Sequence, residues 1–174
     1  MNYRAKYGDA AFSAEYQGEP VNRAAEIRVQ QPEAIAERLS HTPVRVVPEG
    51  HERIVMSLDV GAHFVHYTTM ACSNTGGGVV IDYGAVQTLG PKNADVQAHP
   101  ENIPAIEKAV YETLFRIRDQ CKQPGLEYLR ADGTAIEPSL TLVDSGYLTD
   151  IVYRFCRESG PKFMASKGMM KRKD

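Results

Sequence analysis

The sequence predicts an α/β domain built on one mixed sheet, and three observations carry that reading. From His51 onward, three closely spaced runs rich in β-branched and aromatic residues are joined by turn chemistry, as in an antiparallel meander. Ile103, Ile106, Val110, Leu114 and Ile117 then recur at intervals of three or four, the period of an amphipathic helix. Finally, the apolar run Leu140 to Val143 ends in Asp144 and passes through Ser145-Gly146 straight into a second helical pattern.

Taken in order, residues 1–50 read as an arm or linker with short helices, and residues 51–174 as the domain. Within the arm, Ala10 to Tyr16 suits a short helix that Gly18-Glu19-Pro20 breaks. A second helix is expected from Pro32 to Leu39, with Pro32 in the first turn, Glu33 near the positive end, and Ile35 and Leu39 on one face, fit for docking. Pro43, Pro48 and Gly50 punctuate a connector. The first strand, Arg53 to Val60, is nearly continuous in apolar residues from Ile54 to Leu58, as in a central strand covered on both faces, and it carries Asp59. Gly61-Ala62-His63 turns the chain into Phe64 to Cys72, and Ser73 to Gly78 turns it again into Val79 to Val86. After a polar loop from Gly90 to Pro100, the long helix runs to about Cys121 and stops at Pro124-Gly125. Asp132-Gly133 predicts a small hairpin between Leu126 to Arg130 and Thr134 to Ile136. The second helix, Tyr147 to Glu158, has Leu148, Ile151, Val152 and Phe155 on one face and Thr149 as a cap, and Ser159-Gly160-Pro161 ends it before a last strand at Phe163 to Ala165.

Three antiparallel strands followed by helix, strand, helix and strand give a ribonuclease H-like mixed sheet. In that arrangement the first strand and the strand after the long helix are central neighbours, so Asp59 and Asp144 come together at equivalent strand ends. That edge of an α/β sheet faces a crevice rather than the core. Two carboxylates so placed repel unless a divalent cation lies between them, so the pair suits Mg2+ or Mn2+. A pair of such ions about 4 Å apart activates water and stabilises the leaving oxygen in phosphodiester hydrolysis.

Composition narrows the function less. A net charge of -2 and a pI near 6.2 do not mark a nucleic-acid binder, so local clusters must carry that case. The 43% apolar content is enough for a real core. Cys72, Cys121 and Cys156 form no CxxC pair, which points away from a disulfide framework or zinc site and toward a reducing, intracellular compartment. No apolar run has membrane-spanning length, and no charged-then-apolar leader follows Met1.

The stretches VDSGYLTDIVYRFCRESG and FMASKG, with IVMSLDVGAHFVHYTTMAC, VVIDYG and the early FSAEYQGEPV, resemble large terminase subunits of tailed bacteriophages, of the lambda-related type. The resemblance covers most of the chain and rests on the order and spacing of these stretches rather than on one motif. It implies a metal-dependent endonuclease that cuts concatemeric double-stranded viral DNA during packaging in the host cytoplasm, with Asp59 and Asp144 matching two of the family's metal-binding acids. It also implies partners: the packaging ATPase and C-terminal nuclease portions, the small terminase and the portal. There are two departures. No GxxxxGK[ST] phosphate loop occurs, so this chain is no complete motor. The family's nuclease domain also continues past the position of Lys167-Gly168, where a late helix carries its third acid, and Asp150, Glu158 and Asp174 do not match that acid. A truncated domain at the C-terminus is therefore expected.

Other residues have competing readings. Asp82 ends a strand and is read as stabilising a turn at Gly84 rather than binding metal. His63 and His66 lie close to Asp59, as solvated side chains or DNA contacts. The basic tail, Lys162, Lys167, Lys171, Arg172 and Lys173, is either solvated terminal charge or a phosphate-binding cluster, with Lys167, Lys171 and Arg172 the candidate DNA contacts. Tyr147 and Tyr153 read, at helical spacing, as core or helix-surface packing, with base stacking as the alternative. The functional alternatives to an active nuclease are a catalytically incomplete terminase fragment that binds DNA or a partner, and a ribonuclease H-like resolvase.

Overall fold

A computed structural model describes residues 32–39, 41–92 and 99–168. The chain divides into two compact units, Met1–Ser40 and His41–Asp174. In the first, α1 (Pro32–Ala36) starts at Pro32 as expected and closes early through a Leu39 N–H to Ala36 carbonyl bond of 3.2 Å, short of the expected Leu39. The helix expected at Ala10 to Tyr16 lies outside the described residues, as do Lys171, Arg172 and Lys173.

The second unit begins with β1 (Val46–Val47), followed by the long strands β2 (His51–Val60), β3 (Phe64–Ser73) and β4 (Gly78–Gln87). A turn of 3-10 helix at Pro100–Asn102 leads into α2 (Ile103–Gln120). There follow β5 (Tyr128–Arg130), β6 (Ala135–Ile136), β7 (Leu140–Asp144), α3 (Thr149–Ser159) and β8 (Phe163–Ser166). The main sheet has five strands in the order β4-β3-β2-β7-β8. The β2–β3 and β3–β4 pairs are antiparallel, whereas β7 runs parallel to β2 and β8 parallel to β7. This is the ribonuclease H-like order and direction that the sequence predicts.

Alternation along the strands divides the sheet into two unlike faces. Ile54, Met56, Leu58 and Val60 of β2, with Thr141 and Val143 of β7, are buried in the core. The residues between them point the other way, and there Ser57 and Asp59 are exposed. The buried face is packed by the helices: α2 contributes Ile106, Val110, Leu114 and Ile117, and α3 contributes Val152 and Phe155. Edge-to-face rings continue this packing, from Tyr111 to Phe115 (4.8 Å), Phe115 to Phe155 (5.1 Å) and Phe155 to Phe163 (5.4 Å). The reading of β2 as covered on both faces is thus corrected among the described residues, since only one face is buried.

Two local expectations also change. Thr149 does not cap α3; its hydroxyl donates to the Ser145 carbonyl at 2.8 Å, and the N-cap is Leu148 in the left-handed region (φ 49°, ψ 50°). Asp82 stabilises no turn, because β4 runs straight through Gly84. Opposite β3 the register passes from Thr69↔Asp82 to Met70↔Val80, so Ile81 is the extra residue of a β-bulge. The bulge turns both Ile81 and Asp82 inward.

Asp82 meets Arg45 there. The Arg45 Nε donates to Asp82 at 2.9 Å, its Nη1 to the Leu126 carbonyl at 3.1 Å, and Tyr128 Oη donates to Asp82 at 3.2 Å. Tyr128 Oη also shares a 2.8 Å bond with Thr69. Burial pushes the Tyr128 phenol far above its ordinary value, so it stays a neutral donor. Gly84 makes room for this cluster, since a Cβ there would lie 2.9 Å from the Tyr67 hydroxyl. The connector is therefore structured: β1 pairs in parallel with β5, which forms the expected hairpin with β6 around Gly133 (φ 82°).

Candidate active site

Asp59 and Asp144 share one sheet edge and one face. The β2–β7 register ends at Leu58↔Val143, so each aspartate stands one residue beyond the last matched pair, at the carboxyl end of its strand. Neighbouring strands lie about 4.8 Å apart, so the two aspartates stem from adjacent backbone positions. Asp59 is exposed and Asp144 half-buried. The row extends on both sides. His66 of β3 stands directly opposite Asp59, and Ser166 of β8 stands level with Asp144. His66, Asp59, Asp144 and Ser166 thus form a line across four adjacent strands on the open face.

The turns behind the row hold it in place. Gly61 N–H donates to the Phe64 carbonyl at 3.0 Å, and a Cβ on Gly61 would lie 3.0 Å from that oxygen, so glycine fits this tight turn after Asp59 without crowding. Thr88 fastens the same turn, its Oγ1 donating to the Ala62 carbonyl at 2.6 Å and its N–H to the His63 carbonyl at 2.9 Å. On the other strand, Gly146 N–H donates to Asp144 Oδ1 at 3.2 Å, and a Cβ on Gly146 would press on Oδ2 at 3.2 Å. Buried Ser145 binds the Ser166 carbonyl through both its N–H (2.8 Å) and its Oγ (2.9 Å), fixing β8 to the end of β7. A left-handed non-glycine residue costs energy that its surroundings must supply, and Leu148 adopts that conformation four residues past Asp144.

Of the remaining candidates, Lys167 is exposed and follows Ser166 at the same edge. His63 lies in the turn rather than in the row. Asp82 is spent on Arg45. Tyr153 is half exposed on α3, whereas Tyr147 packs against the core with its hydroxyl buried and unpartnered. Sequence reading had His66 near the site but missed its alignment. Four residues, Gly61 to Phe64, separate the paired Val60 and Val65, and one step further along each strand places His66 opposite Asp59.

The donor set fits Mg2+ or Mn2+ in a limited sense. Carboxylate oxygens suit a hard cation, and Mg2+ is commonly held by one or two carboxylates plus water and substrate phosphate. Among the described residues no group of three or more His, Cys, Asp or Glu side chains is placed to hold a metal ion. Asp59 and Asp144 would by themselves make up only part of a coordination shell.

Strand order, direction and an acidic pair at the carboxyl edge define a ribonuclease H-like domain of the kind that carries nucleases. The chain belongs more particularly to the family described as terminase large subunit gpA, endonuclease domain, whose model it matches over residues 8–174. No curated protein matches it in sequence. Among solved structures, a Ppx/GppA phosphatase of Aquifex aeolicus is 12% identical at a TM-score of 0.43, over 67% of this chain and 36% of that one. An exopolyphosphatase from Cytophaga hutchinsonii is 11% identical at a TM-score of 0.41, over 67% and 35%. RuvC of Thermus thermophilus, in complex with a Holliday junction substrate, is 16% identical at a TM-score of 0.35, over 66% of each chain. The chain spans about a third of the length of the phosphatases it matches. At these scores the likeness carries no weight, and the fold rests on strand order and direction.

Proposed function

We propose that this domain is a Mg2+- or Mn2+-dependent DNA endonuclease of a phage packaging terminase, with Asp59 and Asp144 holding the metal. The observation that carries the proposal is the placement of these two acids on adjacent parallel strands, at one edge and on the open face. A carboxylate pair with no cation is self-repelling, and its position at the carboxyl edge leaves room for a polyanion. When bound, the divalent cation supplies Lewis-acid polarisation of the phosphodiester and lowers the pKa of water.

The chain's own residues contribute position. Asp144 is aimed by its bond from Gly146 N–H, and Asp59 by the Gly61 turn. His66 at one end of the row and Lys167, the residue after Ser166 at the other, provide donors for the DNA backbone on either side of the scissile phosphate. The substrate in this reading is concatemeric double-stranded viral DNA in the host cytoplasm, and the ATPase portion, small terminase and portal are the partners. No helix among the described residues is long and apolar enough to cross a membrane.

A second reading has one observation in its favour: the lack of a third donor among the described residues suits a module that binds DNA or a partner without cutting it. Nicking of supercoiled plasmid with Mn2+ separates the two. We expect wild type to nick, with Asp59→Asn and Asp144→Asn each reducing the rate by at least about a hundredfold, the scale of a lost electrostatic contact at a reacting centre. If folded wild type and both variants are equally inert, the non-cutting reading stands for this chain.

A further inference from the structure

On the helix-covered side of the sheet a cavity of about 170 Å³ opens beside the C-terminal ends of α2 and α3 and the segment that leads into β7. Met56, Leu58, Ile117 and Thr141 form its floor, each no more than 3% exposed, and Phe163 and Pro138 complete the walls. Cys121 also faces it, and burial pushes its thiol pKa up, so the sulfur is neutral.

The mouth is cationic. Arg118 is held by two hydrogen bonds to Asp119 (2.8 and 2.9 Å), by Ser159 Oγ at 3.4 Å, and by stacking 4.3 Å over the Phe115 ring. Lys162 makes an exposed pair with Glu137 at 3.3 Å. The Lys122 backbone N–H donates to the Asp119 carbonyl at 3.1 Å, while its ammonium group makes no hydrogen bond or ion pair among the described residues and feels the Asp119 carboxylate only at longer range. Arg118, Lys122 and Lys162 outnumber the carboxylates of Glu137 and Asp119, which leaves the rim at +1 in a chain whose net charge is -2.

Size and charge together say what fits. Ligand sites for whole small molecules run to about 300 Å³ and more, whereas a void of about 150 Å³ holds one benzene ring. This cavity therefore takes one large side chain, and the rest of its ligand must lie across the rim, where Lys122 and Lys162 favour carboxylates. We propose that the cavity is the docking site of a partner polypeptide that inserts one leucine or phenylalanine and places flanking aspartate or glutamate residues on Lys122, Lys162 and Arg118. One anchor in a desolvated pocket, ringed by polar contacts, is the usual distribution of energy at such an interface. Met56 and Leu58 alternate with Ser57 and Asp59 along β2, so this site and the acid row lie on opposite faces and can be occupied together. The inference does not depend on the nuclease reading.

Methyl NMR of the 174-residue chain tests it, with the synthetic peptide Asp-Glu-Leu-Asp-Glu as ligand. Saturable shifts are expected at the Met56, Leu58 and Ile117 methyls, with none for the same peptide carrying serine in place of leucine. The double variant Lys122→Glu, Lys162→Glu changes exposed side chains only, so it should melt like wild type and bind at least about tenfold more weakly. The proposal is overturned if those methyls do not move at millimolar peptide, or if they move equally with the serine peptide. Concentration-dependent self-association that the lysine variant abolishes would place a second copy of this chain in the cavity and would also overturn it.

Discussion

The two faces of the main sheet are built from the same strands and differ in almost everything else. On the covered face, Ile54, Val65 and Val143 are fully buried against Val110, Leu114, Val152 and Phe155. On the open face, one residue along, stand Asp59, His66, Asp144 and Ser166, with Val80, Tyr83 and Met164 each at least half exposed. Alternation lets a single strand serve stability with one set of side chains and chemistry with the other. Function on such a sheet can therefore change with little cost to the core.

The covered face should show the largest stability effects. Phe155 is fully buried and lies between Phe115 and Phe163 in the ring stack. Phe155→Ala removes both ring contacts and leaves a void, so urea denaturation should report a loss of about 3–5 kcal/mol. Asp59→Asn, on the same sheet but the open face, should stay within about 0.5 kcal/mol of wild type in that assay. A comparable loss from both would erase the division between the faces.

The Arg45–Asp82 pair is a sharper case, because the bulge at Ile81 carries a charge into the covered side. Asp82 is 6% exposed, and Asp82→Asn leaves the Arg45 guanidinium without its counter-charge. The expected cost is about 2 kcal/mol, since the part-buried Arg45 guanidinium loses its counter-charge but still reaches water at its 20% exposed edge. Replacing both residues, as Arg45→Met with Asp82→Leu, should cost clearly less than the single change. Equal losses would mean that the pair itself, rather than the orphaned charge, dominates.

These contrasts also show why some of the molecule was legible in sequence and some was not. The long strands, α2, α3 and the Asp132-Gly133 hairpin follow from periodicity and turn chemistry, which are local. The neighbourhood of Asp59 and Asp144 follows from element order, because a right-handed crossover from β2 through α2 to a parallel β7 leaves few places for that strand. The Arg45–Asp82–Tyr128 cluster joins residues 37 and 46 apart in sequence, and a two-residue strand such as β1 has no period to read. The bulge that turns Asp82 inward leaves no mark in composition, so the sequence reads Asp82 as a strand end beside a turn at Gly84.

The smallest effects should come from the apolar residues of the open face. Tyr83 is 77% exposed and stands opposite Thr68 on the neighbouring strand. Tyr83→Thr keeps a residue with a preference for strands and gives up only ring surface that water already reaches. Its stability should therefore lie within about 0.5 kcal/mol of wild type, as for surface substitutions generally. Val80→Thr, on the same face of β4 and 50% exposed, should behave alike. The two together should add, because neither forms part of the buried network around Asp82. A loss of 2 kcal/mol or more from either one would mean that this face is buried in solution. The acid row would then lie in a covered crevice rather than on an open surface, and DNA would have to displace that cover to reach Asp59 and Asp144.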